Sequence, residues 1–211
     1  MYSVHATRRA RSGRVTPQEP SLESLRQQID SLDDELLALV ERRLAASRAV
    51  AELKSSHGDG HLCLRPRREQ QVIARLARRA EAAPEPLIAA LWRELMAFSL
   101  QAQTRTELLL HGPEPDRLRW AARERFGSAA PVRRMESAAA ALDAAAKEEA
   151  VAVIALSDDA GWIETLHPAL SIFDLLRDES GAVVAAAVGR IPPEELPEPP
   201  ALPATGPEAG R

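Results

Sequence analysis

From Ser21 onward, apolar residues fall on two interleaved seven-residue series: Leu22, Ile29, Leu36 and Val50, and Leu25, Leu32, Leu39, Ala46 and Leu53. That spacing predicts one helix of about 34 residues, roughly 50 Å long, with Ser21 as its N-cap and Glu23 in its first turn. A heptad helix of that length needs a partner along most of its face, and no other segment matches it, so the pattern asks for a second copy of the chain. The segment "SSHGDGH" then has the chemistry of a loop, and Pro66 suits the first turn of a second helix reaching about Ala80. After the breaker "AAPEP", the stripe Ile88, Leu91, Trp92, Leu95 and Met96 predicts a third helix from near Pro86 to about Leu109.

Beyond "HGPEP" the pattern changes. A helix is predicted at 116–126, a short strand around Pro131 to Met135, and an alanine-rich helix at 137–149. The run "VAVIALS" is short, apolar and β-branched, "DAGWIETL" reads as helical, and "AVVAAAVGRI" is a second strand candidate. The expected architecture is therefore α + α/β. A disordered basic tail (1–20) precedes a helical domain (21–110), which is followed by a small α/β unit (111–193) and a proline-rich disordered tail (194–211).

Composition narrows the function classes. The formal net charge of -4 over 211 residues argues against a general polyanion binder despite the arginine-rich stretch "RPRREQQVIARLARR". Cys63 is the only cysteine, which excludes an internal disulfide and suits a reducing, cytoplasmic compartment. No apolar run approaches the roughly 18 residues of a membrane span, and the basic first residues lack a signal-peptide apolar core.

Several polar residues stand where the patterns demand apolar ones. Arg43 occupies the first heptad series between Leu36 and Val50, and Lys54, eleven residues later, returns to nearly the same face. The third-helix stripe continues through Ser99 and Gln103, an i, i+4 pair. Glu69 lies in the row of Val72, Ile73 and Leu76, flanked by Arg68, whereas Arg75, Arg78 and Arg79 lie off it. An unpartnered buried guanidinium costs several kcal/mol. A balanced ion network fixing helix register would explain such residues, but Arg43, Lys54 and Arg68 against Glu69 alone leave an excess of positive charge that suits a small dianion. Arg26 precedes Arg43 by roughly 25 Å of helix, too far for one metabolite to touch both from the same chain, so any pocket it serves belongs to a neighbouring copy.

The stretches "LRQQIDSLDDELLALVERRLAASRAVAELK", "RPRREQQVIARL" and "LWRELMAFSLQAQ" together resemble the all-helical, AroQ-type chorismate mutases in their intracellular bacterial form. The resemblance covers about half the chain. It implies three helices per chain, an intertwined homodimer, no cofactor and no metal. It further implies that Arg43 and the partner copy's Arg26 hold the carboxylates of chorismate, that Lys54 and Gln103 donate to the ether oxygen, and that Glu69 accepts from the ring hydroxyl. Arg68 and Ser99 would complete the polar lining. Where the family usually has an aspartate, in a "D-x-x-R-E" pattern, this chain has Arg65. The second unit more distantly resembles a shortened prephenate dehydratase domain but lacks its "T-R-F", so the expectation is an accessory unit without dehydratase activity.

Other motifs carry less. His57, Asp59 and His61 read as a flexible loop rather than a metal site, since no thiolates or helical histidine pair accompany them. Cys63 is expected to be a small buried hydrophobe, Trp92 a core residue, and Trp120 and Trp162 packing residues of the second unit. Two alternatives remain open at this level. One is a regulatory subunit of the same fold. The other is a dimeric helical nucleic-acid binder using Arg65, Arg67, Arg75, Arg78 and Arg79 on phosphates, although no nucleic-acid partner is expected from the charge balance.

Overall fold

The structure is a computed structural model that describes residues 21–55, 62–156 and 161–197. The heptad segment forms helix α1, Leu22–Ser55, with Glu23 in its first turn. Its start is fixed locally, because Ser24 N donates to Ser21 Oγ at 3.1 Å. The chain divides into two compact units, Met1–Leu39 and Val40–Arg211, and the division falls inside α1. In the first unit Leu22, Leu25, Ile29, Leu32, Leu36 and Leu39 are between 42% and 65% exposed, so the apolar stripe faces outward.

The second unit opens with the C-terminal half of α1, followed by α2 (Pro66–Ala77) and α3 (Glu85–Gln103). Pro66 occupies the first turn of α2, as its locked φ and missing N–H favour. Arg65 sits at the N-cap and makes no side-chain cap bond. The third helix stops at Gln103, short of the expected Leu109. The residues beyond it form strand β1, Glu107–His111, whose Leu108, Leu109 and Leu110 are each at most 4% exposed. A run of three buried leucines satisfies helix and central strand equally well, and pairing to strands on both sides decides for the strand.

Helix α4 (Pro115–Phe126), β2 (Val132–Arg134), α5 (Ala138–Lys147) and β3 (Ala150–Ala155) follow, close to expectation. Ser137 caps α5 by accepting from Ala140 N at 3.0 Å. The segment expected to be helical after β3 supplies only a 3-10 turn at Gly161–Ile163, with residues 157–160 outside the described ones. Strands β4 (Ser171–Arg177) and β5 (Val183–Gly189) complete a five-stranded sheet of order β2-β1-β3-β5-β4. Strands β1, β2 and β3 run parallel, whereas β5 is antiparallel to β3 and to β4.

The sheet is buried on both faces. Leu108, Leu110, Val151 and Val153 pack with Leu118, Ala121, Ala122 and Phe126 of α4, and the alternate residues Leu109, Ala152 and Ile154 pack with Ala141, Leu142 and Ala145 of α5. Leu62 and Leu64, just ahead of α2, join the α4-side core, and Leu62 N donates to Arg190 O at 3.2 Å. The helical segment is thereby anchored to the sheet at the start of α2. The boundary expected between residues 110 and 111 falls within β1. At the C-terminal end, Pro193–Glu195 forms a 3-10 turn against α2, so ordered chain extends past residue 193. The remainder of the expected tail, from residue 198, lies outside the described residues.

Candidate active site

The sequence-predicted polar residues divide into two groups. Arg43, half-buried in the C-terminal half of α1, donates through Nη1 to Leu95 O at 2.9 Å and to Ser99 Oγ at 2.6 Å. Ser99 is 5% exposed, and its hydroxyl donates in turn to Leu95 O at 2.6 Å. One helical turn further, Gln103 Nε2 donates to Ser47 Oγ at 2.8 Å. Arg43 and Ser47 are spaced i, i+4 on α1, as Ser99 and Gln103 are on α3, so the two bonds form successive rungs between helices that run parallel. Burial pulls the Arg43 guanidinium below its ordinary pKa. Ser47 escaped the sequence reading, although its position one turn after Arg43 was the signal available.

Glu69 lies elsewhere. It lines a cavity with Leu64, Arg93, Ala97, Leu100, Gln101 and Arg125, and its Oε2 accepts from Arg125 Nη1 at 3.0 Å. The Nε of Arg125 is bonded to Asp174 Oδ2 on β4. Burial pushes the Glu69 carboxyl above its usual value, with Arg125 pulling against that push. Burial pulls the Arg125 guanidinium down, but Glu69 and Asp174 outweigh it and hold it above its ordinary value. The expectation that Glu69 shares an interior with Arg43 thus meets a different arrangement, in which its described partner belongs to the α/β unit. Arg125 was absent from the predicted set. Nothing in the periodicity of α2 could reveal a partner 56 residues away.

The remaining candidates are scattered. Arg68, expected to face inward, is exposed on α2, because one residue's step of about 100° carries it off the row of Glu69. Arg26 is exposed in the first unit. Lys54 lies in the last turn of α1, but its side chain is outside the described residues, as are His57, Asp59 and His61. Among the described residues no group of three or more His, Cys, Asp or Glu could hold a metal ion.

The arginine-rich stretch is likewise divided. Arg75, Arg78 and Arg79 are exposed, whereas Arg67 Nη1 donates to Glu194 O at 3.3 Å. The Arg65 guanidinium turns back onto the carbonyls of Leu62 and Leu64 and lies 3.7 Å from Glu195. Cys63 and Trp92 are half-buried rather than core, and Trp120 is 37% exposed. Trp162 packs against the α5-side core.

Residues 25–104, which carry both rungs, match the family model described as Chorismate mutase type II. The match covers less than half of the chain. The chain is 31% identical over 118 residues to a bifunctional chorismate mutase/prephenate dehydratase of Pseudomonas aeruginosa, covering 53% of this chain and 32% of the relative. It is 41% identical over 56 residues to an intracellular chorismate mutase of Mycobacterium tuberculosis, covering 26% of this chain and 51% of that protein. The Mycobacterium bovis protein of the same description matches to the same extent. The chain therefore spans about a third to a half of the length of the curated relatives it matches. No solved structure matches it significantly.

Both rungs lie within the matched segment. A guanidinium whose described bonds all run through Nη1 is oriented by a buried hydroxyl and a main-chain carbonyl, a geometry that presents a fixed fork to a carboxylate. Beside it, the Gln103 amide donates one N–H to Ser47 and carries a second.

Proposed function

We propose that this chain is a chorismate mutase, converting chorismate to prephenate by an intramolecular [3,3] rearrangement. The observation that supports it best is the pair of rungs Arg43–Ser99 and Ser47–Gln103, built from residues of the type II mutase segment. The reaction needs no nucleophile. The site has to hold a dianion in a folded, chair-like conformer and stabilise the charge that gathers on the ether oxygen as its bond to carbon breaks.

In this reading Arg43 takes one carboxylate through Nη2 and Nε, while Arg26 of a second copy takes the other. The exposed stripe from Leu22 to Leu39 supports such a copy, because an apolar face of that length is covered by association. Lys54 and Gln103 donate to the ether oxygen. Glu69 accepts from the ring hydroxyl, Ser99 holds Arg43 in place, and Arg68 adds positive charge at the rim. One preorganised donor aimed at developing charge contributes about 3 to 4 kcal/mol. Two donors with conformational restraint therefore reach the lower range of enzymatic acceleration, about 8 kcal/mol.

The α/β unit is proposed as an accessory without dehydratase activity, and a cytoplasmic location accompanies the reading. No described helix is long and apolar enough to cross a membrane. The deciding experiment is the loss of chorismate absorbance on adding the purified protein, with prephenate identified as the product. A protein that binds nucleic acid in a salt-dependent way but leaves chorismate intact refutes the proposal.

A further inference from the structure

Helix α3 shows different faces to its two neighbours. Residues turn by about 100° per step, so Leu95, Ser99 and Gln103 form one row, while Arg93, Ala97, Leu100 and Gln101 centre well over about 90° away. The first row carries the bonds to α1. The second lines the cavity of Glu69 and Arg125.

Glu69 and Arg125 are 19% and 17% exposed, and Asp174 is 33% exposed, so this chain of charges runs largely out of water from α2 through α4 to β4. Its seat is built. Gly127, with φ of 73°, ends α4 where an added Cβ would meet Ala97 Cβ at 2.8 Å. Beside it, Glu94 of α3 accepts from Ser128 N at 3.0 Å. These contacts press the end of α4, and with it Arg125, against the face of α3 remote from Arg43. Held there by Arg125, the Glu69 carboxylate lines the side of α3 away from the row that bonds Arg43, so reaching a substrate on Arg43 requires it to leave that seat.

We propose that the Glu69–Arg125–Asp174 chain is a lock through which the α/β unit holds the mutase site in a low-affinity state. The lock opens when Glu69 leaves Arg125 for the substrate. It rests on the reading of Glu69 as the acceptor of the ring hydroxyl. It also gives the α/β unit a role, because the described hydrogen-bond donor to that carboxylate belongs to α4, while Arg93 of α3 lines the same cavity. Substrate selects the unlocked state, so the apparent affinity is reduced by the fraction of chains already unlocked, while turnover at saturation is not.

The test is steady-state kinetics of the full chain. Arg125→Met is expected to lower KM by at least about threefold with kcat unchanged, the signature of a removed competing state. Arg125→Lys, which keeps a cation beside Glu69, is expected to retain a KM near that of the wild type. Asp174→Asn loosens the anchor of Arg125 and is expected to lower KM less, and it carries the test if Arg125→Met does not fold. A pairing that serves only to hold the fold together predicts a fall in kcat with the folded fraction and no fall in KM. An unchanged or raised KM in Arg125→Met and Asp174→Asn overturns the lock while leaving the mutase reading intact. A wild-type chain that makes no prephenate overturns both.

Discussion

Gln103 Nε2 reaches Ser47 Oγ across the α1–α3 interface at 2.8 Å, one turn beyond the bond from Arg43 to Ser99. This second rung shows that the polar intrusions into two apolar stripes are in register with each other. Buried polar groups persist where they are mutually satisfied, and these meet in pairs. The chemistry proposed for the segment makes their relative importance measurable.

Donors that act on the breaking bond should matter more than residues that orient them. Lys54→Ala and Gln103→Leu are each expected to lower kcat about 100-fold or more. Ser99→Ala should lower it by less, since Arg43 retains the Leu95 carbonyl at 2.9 Å. The rate of prephenate formation at saturating chorismate decides, and a Lys54→Ala protein within about threefold of wild type, under about 0.7 kcal/mol of barrier, refutes the role given to that side chain.

Arg26 and Arg43 are proposed to serve one site from two copies. Arg26→Ala and Arg43→Ala proteins should each be nearly inactive. When they are unfolded together and refolded in equal amounts, about a quarter of wild-type activity should return, because half the dimers are mixed and each of those has one intact site. Recovery of no activity on mixing argues that both arginines act within a single chain.

The exposed leucines of α1 carry a prediction about assembly. Leu32→Glu together with Leu39→Glu should shift the protein to monomer in sedimentation velocity and abolish turnover. Two charges on one row of the exposed stripe oppose the burial that drives association. Retention of activity by a monomeric variant would show that the site is complete in one chain.

Asp178 gives a pH prediction remote from the site. Ser180 Oγ donates to its Oδ1 at 2.6 Å, and Arg117 Nη2 donates to its Oδ2 at 2.5 Å. With Ser180 as the leading cause and Arg117 next, its pKa is held down to about 2 from the ordinary 3.8. A folded pKa below the unfolded one means a stabilising contribution that is present above about pH 4 and lost as pH falls towards about 2. Asp178→Asn should flatten acid denaturation, followed by circular dichroism, in that window. An unchanged acid limb indicates that solvent and salt screen the contribution away.

The core supplies the last test. Leu109 is fully buried between β2 and β3 on the α5 side. Leu109→Ala is expected to destabilise the second unit by about 2 to 5 kcal/mol in urea denaturation, through lost burial and the cavity left behind.

Much of the helical segment was legible because helical periodicity is a local property. Leu22 to Leu53 announce α1 by spacing alone, and Arg43, Ser99 and Gln103 declare themselves as polar residues on apolar rows. Strand β1 was misread as the end of α3, since buried leucines suit either structure until neighbouring strands claim them. Strand β4 went unseen for a different reason. A register shift between Ile172 and Asp174 interrupts the alternation by which a half-buried strand is recognised.

The sequence by itself determined the long amphipathic helix, most of the helix–strand alternation of the second unit, and the positions at which charge enters an apolar stripe, because each follows from neighbours a few residues apart. Only the tertiary structure decided which of those charges meet. It joined Arg43 to Ser99 and gave Glu69 to Arg125, since side chains 56 residues apart come together through the packing of whole elements, which no local pattern encodes.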